Sequence, residues 1–346
     1  MRNKIAVFQV FALFIFCALF KSDYAVNANE FKSAGSAVIL VYHRFGEGQF
    51  PSTSIRMEQF KSHVLELRRK RYNILPITEI IQKINNREKL PDFTIGISID
   101  DAYRSVYEKA WPLLRDANIP FTLFISTDVV DRQATGYMSW DQIRELKSSG
   151  VTIGSQTKSH KHLPLISIED AKQEIDKANA RIKKEIGLGP DLFAYPYGEY
   201  NSSVRELIID RGFKAAFTQS SGALHSYSDK FSLPRFALNE RYGGIDRFRL
   251  VANALPLPVD DVLPMDPLLV ENPPAFGFTV DKSVGSLRQL ACFSSNEGEL
   301  RLERLGRRIE ARFNTMLPKG RSRVNCTLPG PNNRWRWFGV QFLISN

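Results

Sequence analysis

Two adjacent carboxylates, Asp100 and Asp101, close the apolar run Ile97-Ser98-Ile99. A pair of this kind can divide one task, one carboxylate binding a divalent cation while the other takes a proton from the water that the cation polarises. Read alone, Asp101 is equally suited to cap a following helix. It does not stand alone. The run Val151–Gly154 leads into Ser155-Gln156-Thr157-Lys158-Ser159-His160-Lys161-His162-Leu163, where imidazoles and polar groups crowd one loop, and Phe193-Ala194 leads into Tyr195-Pro196-Tyr197-Gly198. Two more histidines compete to protonate a leaving group: His43 in Val41-Tyr42-His43-Arg44-Phe45 and His225 in the polar stretch 220–228. His63 reads as an ordinary helix residue. The chain holds no Gly-x-Ser-x-Gly nucleophile elbow, which argues against an α/β-hydrolase esterase.

The elements that must carry these groups are short and buried. Runs rich in β-branched and aromatic residues at Ala37–Tyr42, Thr94–Ile99, Phe121–Ser126, Val151–Gly154 and Leu192–Tyr195 read as parallel strands. Helical patterns lie between them, one with Met57, Phe60, Val64 and Leu67 on a single face and another with Trp140, Ile143 and Leu146. Asn201 is placed to cap a helix that Gly212 ends before the strand-like Ala215–Thr218. This alternation predicts an α/β fold built on a barrel-type βα repeat, with the acidic pair at the active-site face. From 255 to 274 the prolines Pro256, Pro258, Pro264, Pro267, Pro273 and Pro274 suggest a linker. Beyond it, Ala275–Val280, Glu299–Leu302, Arg308–Phe313, Arg323–Leu328 and Arg336–Ile344 predict a small β-sandwich over 275–346.

The chain of 346 residues carries 47 basic and 37 acidic residues, a net charge of +10 that favours anionic partners. Arg2 and Lys4 precede an apolar stretch to Phe20 that is short for a membrane span, and small residues follow, so 1–28 reads as a signal peptide cut after Ala28, with an uncleaved anchor as the other reading. Export to a periplasmic or extracellular setting disfavours nucleic acid as a partner, and no nucleic-acid motif is evident. No later stretch is apolar for long enough to span a bilayer. Outside the leader two cysteines remain, Cys292 and Cys326, an expected disulfide. In the tail, Trp335 and Trp337 fall on one side of a strand and Arg334 and Arg336 on the other. With Phe338 they suit either a sugar platform or a core.

The Asp-Asp pair, the His-containing loop and the Pro-Tyr-Gly turn, in this order, resemble the polysaccharide deacetylases, the NodB-homology or carbohydrate esterase 4 group, over roughly Ala37 to Leu250. The resemblance implies a distorted (β/α) barrel over 36–254 and hydrolysis of N-acetyl groups on an acetylated, N-acetylglucosamine-containing polysaccharide. The start of the domain is similar to bacterial exopolysaccharide deacetylases. It assigns Asp100 as base, Asp101 and His160 as ligands of a divalent metal, zinc or another first-row cation, and the Tyr197 backbone N–H to the oxyanion. Tyr195, Pro196 and Tyr197 are expected against substrate, and His43 is preferred to His225 as general acid. Gln156 stands where the family has its first metal histidine, and Ala194 and Tyr195 replace a basic residue. Gln156 is thus expected as a weaker oxygen ligand, or the chain as an inactive glycan binder. Arg235 is the candidate to support the base.

Overall fold

A computed structural model describes residues 35–345; the expected leader over 1–28 lies outside them. Six parallel strands form the centre of the first domain: β1 (Ser36–Tyr42), β2 (Thr94–Asp100), β3 (Thr122–Ile125), β4 (Thr152–Ser155), β5 (Leu192–Ala194) and β6 (Ala215–Phe217). They lie side by side in that order. Every residue of β1 and β2 is buried, as in strands covered on both faces. The sheet curls, and the extended segment 233–237 spans its seam: Leu233 bridges to Phe217 of β6, while Phe236 and Ala237 pair with Leu40 and Val41 of β1. The result is the distorted α/β barrel expected from the alternation of elements.

Helices cover the outside with the faces their periodicity predicts. Met57–Leu67 buries Phe60, Val64 and Leu67. It also buries His63, which is more than an ordinary helix residue: its Nδ1 lies 3.1 Å from the Tyr42 hydroxyl, its Nε2 2.8 Å from the Gly243 carbonyl, and burial lowers its pKa to about 4. The helix Ser202–Asp210 starts where Asn201 accepts the Val204 amide at 2.8 Å.

The second domain comprises β7 (Val259–Leu263), β8 (Phe276–Val280), β9 (Ala291–Ser294), β10 (Arg301–Leu305), β11 (Arg308–Arg312), β12 (Gly320–Pro329) and β13 (Trp335–Ile344). One sheet runs β7-β8-β11-β10; the other has β13, β12 and β9 at its centre. Phe276, Phe278, Ile309, Val324 and Phe342 share one core between them. Cys292 and Cys326 face each other across β9 and β12 and form the expected disulfide, with Cα atoms 4.0 Å apart. The segment 255–274 is not a plain linker: Leu255–Pro256 pairs with β13, and β7 is part of the other sheet. Its prolines lie at the ends of these short strands or in the bends between them, where a missing N–H breaks no ladder.

One face of the β13-β12-β9 sheet packs on the barrel. Trp337 meets Phe236 edge-on at 5.2 Å and donates from Nε1 to Asn325, so it belongs to this contact, whereas Phe338 turns inward against Phe278. Gly339 comes so close to the barrel that a Cβ there would lie 2.3 Å from the Ser221 carbonyl oxygen. Trp335 alone of the three aromatics is exposed. Among the described residues no helix is long and apolar enough to cross a membrane.

Candidate active site

The polar groups gather at the carboxyl ends of the barrel strands, in a cleft of about 870 Å³ lined by His43, Asp101, His160 and Tyr197. Four of the residues that shape it adopt left-handed backbone conformations: Asp101 (φ 75°), Thr157 (φ 69°), His160 (φ 58°) and Tyr197 (φ 60°). Each costs of order 1–3 kcal/mol and must be held by its surroundings. At Asp101 the reason is direct. Strand alternation sends consecutive side chains to opposite faces, and the left-handed turn lets Asp101 line the cleft although Asp100, the residue before it, is buried. The Asp101 amide is held by the Phe124 carbonyl at 3.0 Å and Gln156 Oε1 at 3.3 Å.

Asp100 has no exposed surface, and both its oxygens lie in the fork of Arg235, at 2.7 and 2.9 Å. Arg235 is itself fully buried, and its remaining hydrogen bonds go to the Thr218 carbonyl and Ser98 hydroxyl. The seam segment puts it there, and its bidentate grip fixes the orientation of the carboxylate. His43 Nε2 lies 3.9 Å from Asp100 Oδ2, beyond a direct hydrogen bond but within the span of an atom shared by both. His225 lies elsewhere: it lines a separate cavity of about 800 Å³ between the domains, and burial lowers its pKa to about 4.

His160 Nε2 approaches Asp101 Oδ1 at 3.4 Å, and burial pushes the imidazole below its ordinary pKa against the pull of Asp101 and Asp100. The loop that carries it is braced by Glu174, a buried helix residue whose carboxylate accepts the Ser159 amide and hydroxyl, both at 2.7 Å. Nothing in the spacing of the sequence marked Glu174 for this role. His162 turns away from Asp101: its ring stacks on Tyr197 at 3.9 Å and its Nδ1 meets Glu199 at 2.6 Å.

The donor set fits a divalent cation in part. Asp101 Oδ1 is buried without a hydrogen-bond partner, as an anionic oxygen awaiting a cation would be, and His160 stands next to it. Gln156 corrects the expected ligand set. Its carboxamide oxygen accepts the Asp101 amide, and its buried Nε2, a donor that cannot bind a cation, has no partner. Among the described residues no three His, Cys, Asp or Glu side chains converge as a metal group.

The turn Pro196-Tyr197-Gly198 needs its glycine: Gly198 has φ +71°, and a Cβ there would fall 2.4 Å from the Gln219 nitrogen. Tyr197 lines the cleft, whereas Tyr195 and Pro196, expected against substrate, present no surface to it. Both are buried, and the Tyr195 hydroxyl donates to the Phe231 carbonyl at 2.9 Å. Sequence reasoning also missed the second domain's part in the cleft. Gln341 Nε2 donates to the Tyr197 carbonyl at 3.0 Å, Arg321 approaches the same oxygen at 3.4 Å, and Phe293, Arg323 and Asn325 line the same space.

Comparison with known proteins places the barrel domain beside polysaccharide deacetylases. Residues 87–216 match the family model described as polysaccharide deacetylase. The poly-beta-1,6-N-acetyl-D-glucosamine N-deacetylase of Staphylococcus aureus is 23% identical over 231 residues, covering 63% of this chain and 79% of its own. IcaB from Ammonifex degensii, 26% identical, superposes with a TM-score of 0.56 over 63% of this chain and 95% of that one. The Streptococcus pyogenes deacetylase PplD in complex with acetate superposes with a TM-score of 0.59 at 18% identity, over 63% of this chain and 99% of that one.

Proposed function

We propose that this chain, whose first domain is a polysaccharide deacetylase domain, hydrolyses N-acetyl groups of an N-acetylglucosamine-containing polysaccharide outside the cytoplasm. The observation that carries the reading is the Asp100 carboxylate fixed by Arg235 beside His43, with the unpartnered Asp101 Oδ1 next to His160. In this reading Asp100 accepts a proton from the attacking water, whose oxygen bonds to the acetyl carbon. The Tyr197 backbone N–H receives the oxyanion as the carbonyl bond opens. His43, protonated, gives its proton to the amide nitrogen as the C–N bond breaks, so acetate and a free amine leave. Arg235, bonded to both oxygens of Asp100, holds that carboxylate aimed. Asp101 and His160 would hold a divalent first-row cation, which supplies a Lewis acid to the carbonyl when bound. The leader pattern and the Cys292–Cys326 bond support export, since such bonds persist in oxidising compartments. The staphylococcal relative's named substrate supports poly-N-acetylglucosamine as the first polymer to try.

The test is acetate release from N-acetylglucosamine oligomers, with and without chelator. Activity should vanish with chelator and return with zinc or a similar cation, and Asp101→Asn should lower bound metal as well as rate. Chelator-insensitive release, or metal content unchanged in Asp101→Asn, would overturn the assignment of Asp101.

A further inference from the structure

The face that β12 turns to the barrel carries a regular charge pattern. Along this strand Ser322, Val324 and Cys326 point into the sandwich core, so by alternation Arg321, Arg323 and Asn325 share the opposite face. That face forms one wall of the cleft that holds His43, Asp101 and His160. Phe293, directly across from Asn325 in β9, adds a half-exposed ring to the same wall, and Arg247 reaches the cleft from the barrel's last helix, Ile245–Ala252.

These arginines are poorly neutralised. Arg321 meets a carboxylate at Glu199 only at 3.6 Å. Among the described residues Arg323 has no ion pair, its Nε donating to the neutral Gln341 at 3.0 Å, and Arg247 has none either, its guanidinium lying 5.0 Å from the Trp337 ring centroid. Burial works against the charge of Arg323 and Arg247, and Arg321 adds repulsion at Arg323. Of the residues lining the cleft, Asp101 is the one carboxylate against three guanidiniums. A neutral sugar chain gives no return for holding such a group of half-buried cations together; a carboxylate or phosphate does.

From this placement, and resting on the deacetylase reading of the cleft, we propose that the second domain is the specificity wall of the active site and that Arg247, Arg321 and Arg323 bind an anionic substituent on the polymer. The substrate class is then an acidic N-acetylated polysaccharide, with the sugar next to the acetylated one bearing the charge and Phe293 offering a face on which a ring can stack.

The test uses two matched pairs of probes and the full chain, with binding measured by calorimetry and acetate release measured in parallel. The first pair is a hexasaccharide of alternating uronate and N-acetylglucosamine and the same oligomer with its carboxylates reduced to alcohols. The second is N-acetylglucosamine hexamer with and without phosphate at O6. The charged member of at least one pair should bind about ten-fold or more tightly than its neutral twin, as charge-assisted bonds to a guanidinium imply. Which pair responds identifies the anion as carboxylate or phosphate. Arg323→Gln and Arg247→Gln should bring that ratio close to one, and Arg323→Lys should retain part of it. Equal binding within both pairs, no binding of any probe, or a ratio unchanged in the arginine variants overturns the proposal. Charge-selective binding without acetate release from any probe would leave the anion site standing and count against the deacetylase reading instead.

Discussion

Asp100, the proposed base, and Arg235 are both fully buried, so in the proposed mechanism catalysis and stability meet in one pair. Asp100→Asn removes the negative charge from a guanidinium that has no access to water. Turnover should fall by about 10²- to 10⁴-fold, the usual contribution of a general base. Stability should also fall, toward the roughly 3–5 kcal/mol seen when a buried ion pair loses one member. Urea unfolding alongside acetate release separates the two effects, and undiminished turnover at equal metal occupancy would remove Asp100 from the chemistry. Gln156→His makes a second prediction. An imidazole at this buried position, with Asp101 and His160 adjacent, should raise zinc affinity in equilibrium dialysis, whereas kcat need not follow, because tighter ground-state binding alone does not lower the barrier. Unchanged affinity would mean that this position does not face the cation. The acidic pair was legible because a buried strand ends on it. The use of the Gln156 oxygen was not, because it depends on the left-handed turns at Asp101 and Thr157; an Asp tolerates that region in many settings without being bound to it, and a β-branched Thr gives no hint of it.

At the scale of elements, the barrel strands were readable to within a residue or two because parallel strands covered on both faces are continuous apolar runs. The second domain was harder. Its strand Ala291–Ser294 is only four residues long, and the prolines between 255 and 274 mimic a linker although two strands lie there. The pairing of Cys292 with Cys326 was nevertheless available from cysteine number alone. Their bond closes a loop of 34 residues, which by chain entropy adds about 3 to 4 kcal/mol to the stability of the sandwich. The double variant Cys292→Ser/Cys326→Ser, chosen so that no lone thiol remains, should lower the urea midpoint of the second domain by an amount of that order. A midpoint equal to that of the wild type would show that the β9-β12-β13 ladder needs no covalent tie.

Across the whole molecule the proposed active-site cleft is walled by both domains. The Tyr197 carbonyl, in the turn proposed to receive the oxyanion, accepts its hydrogen bonds from Gln341 and Arg321 of the sandwich. The position of that turn therefore depends on docking, and docking depends on Gly339, whose backbone lies against Ser221. Gly339→Ala introduces a methyl group where 2.3 Å of room exists, and the neighbour is backbone, which cannot rotate away as a side chain would. Overpacking of this kind typically costs 1–3 kcal/mol, here borne by the interface. Amide exchange should then quicken in the strand 335–344 and in the turn 196–198, while strands at the barrel centre keep their protection. Acetate release should fall although Asp100, Asp101 and His160 are untouched. Gly285→Ala, where an added Cβ meets nothing within 4 Å, is the matched control and should change neither readout. If Gly339→Ala loosens the strand and leaves the rate intact, Tyr197 holds its position without the sandwich. If rate and exchange move together, the second domain is part of the catalytic apparatus, a dependence that the sequence could not announce because a lone glycine in a strand carries no sign of what packs against it.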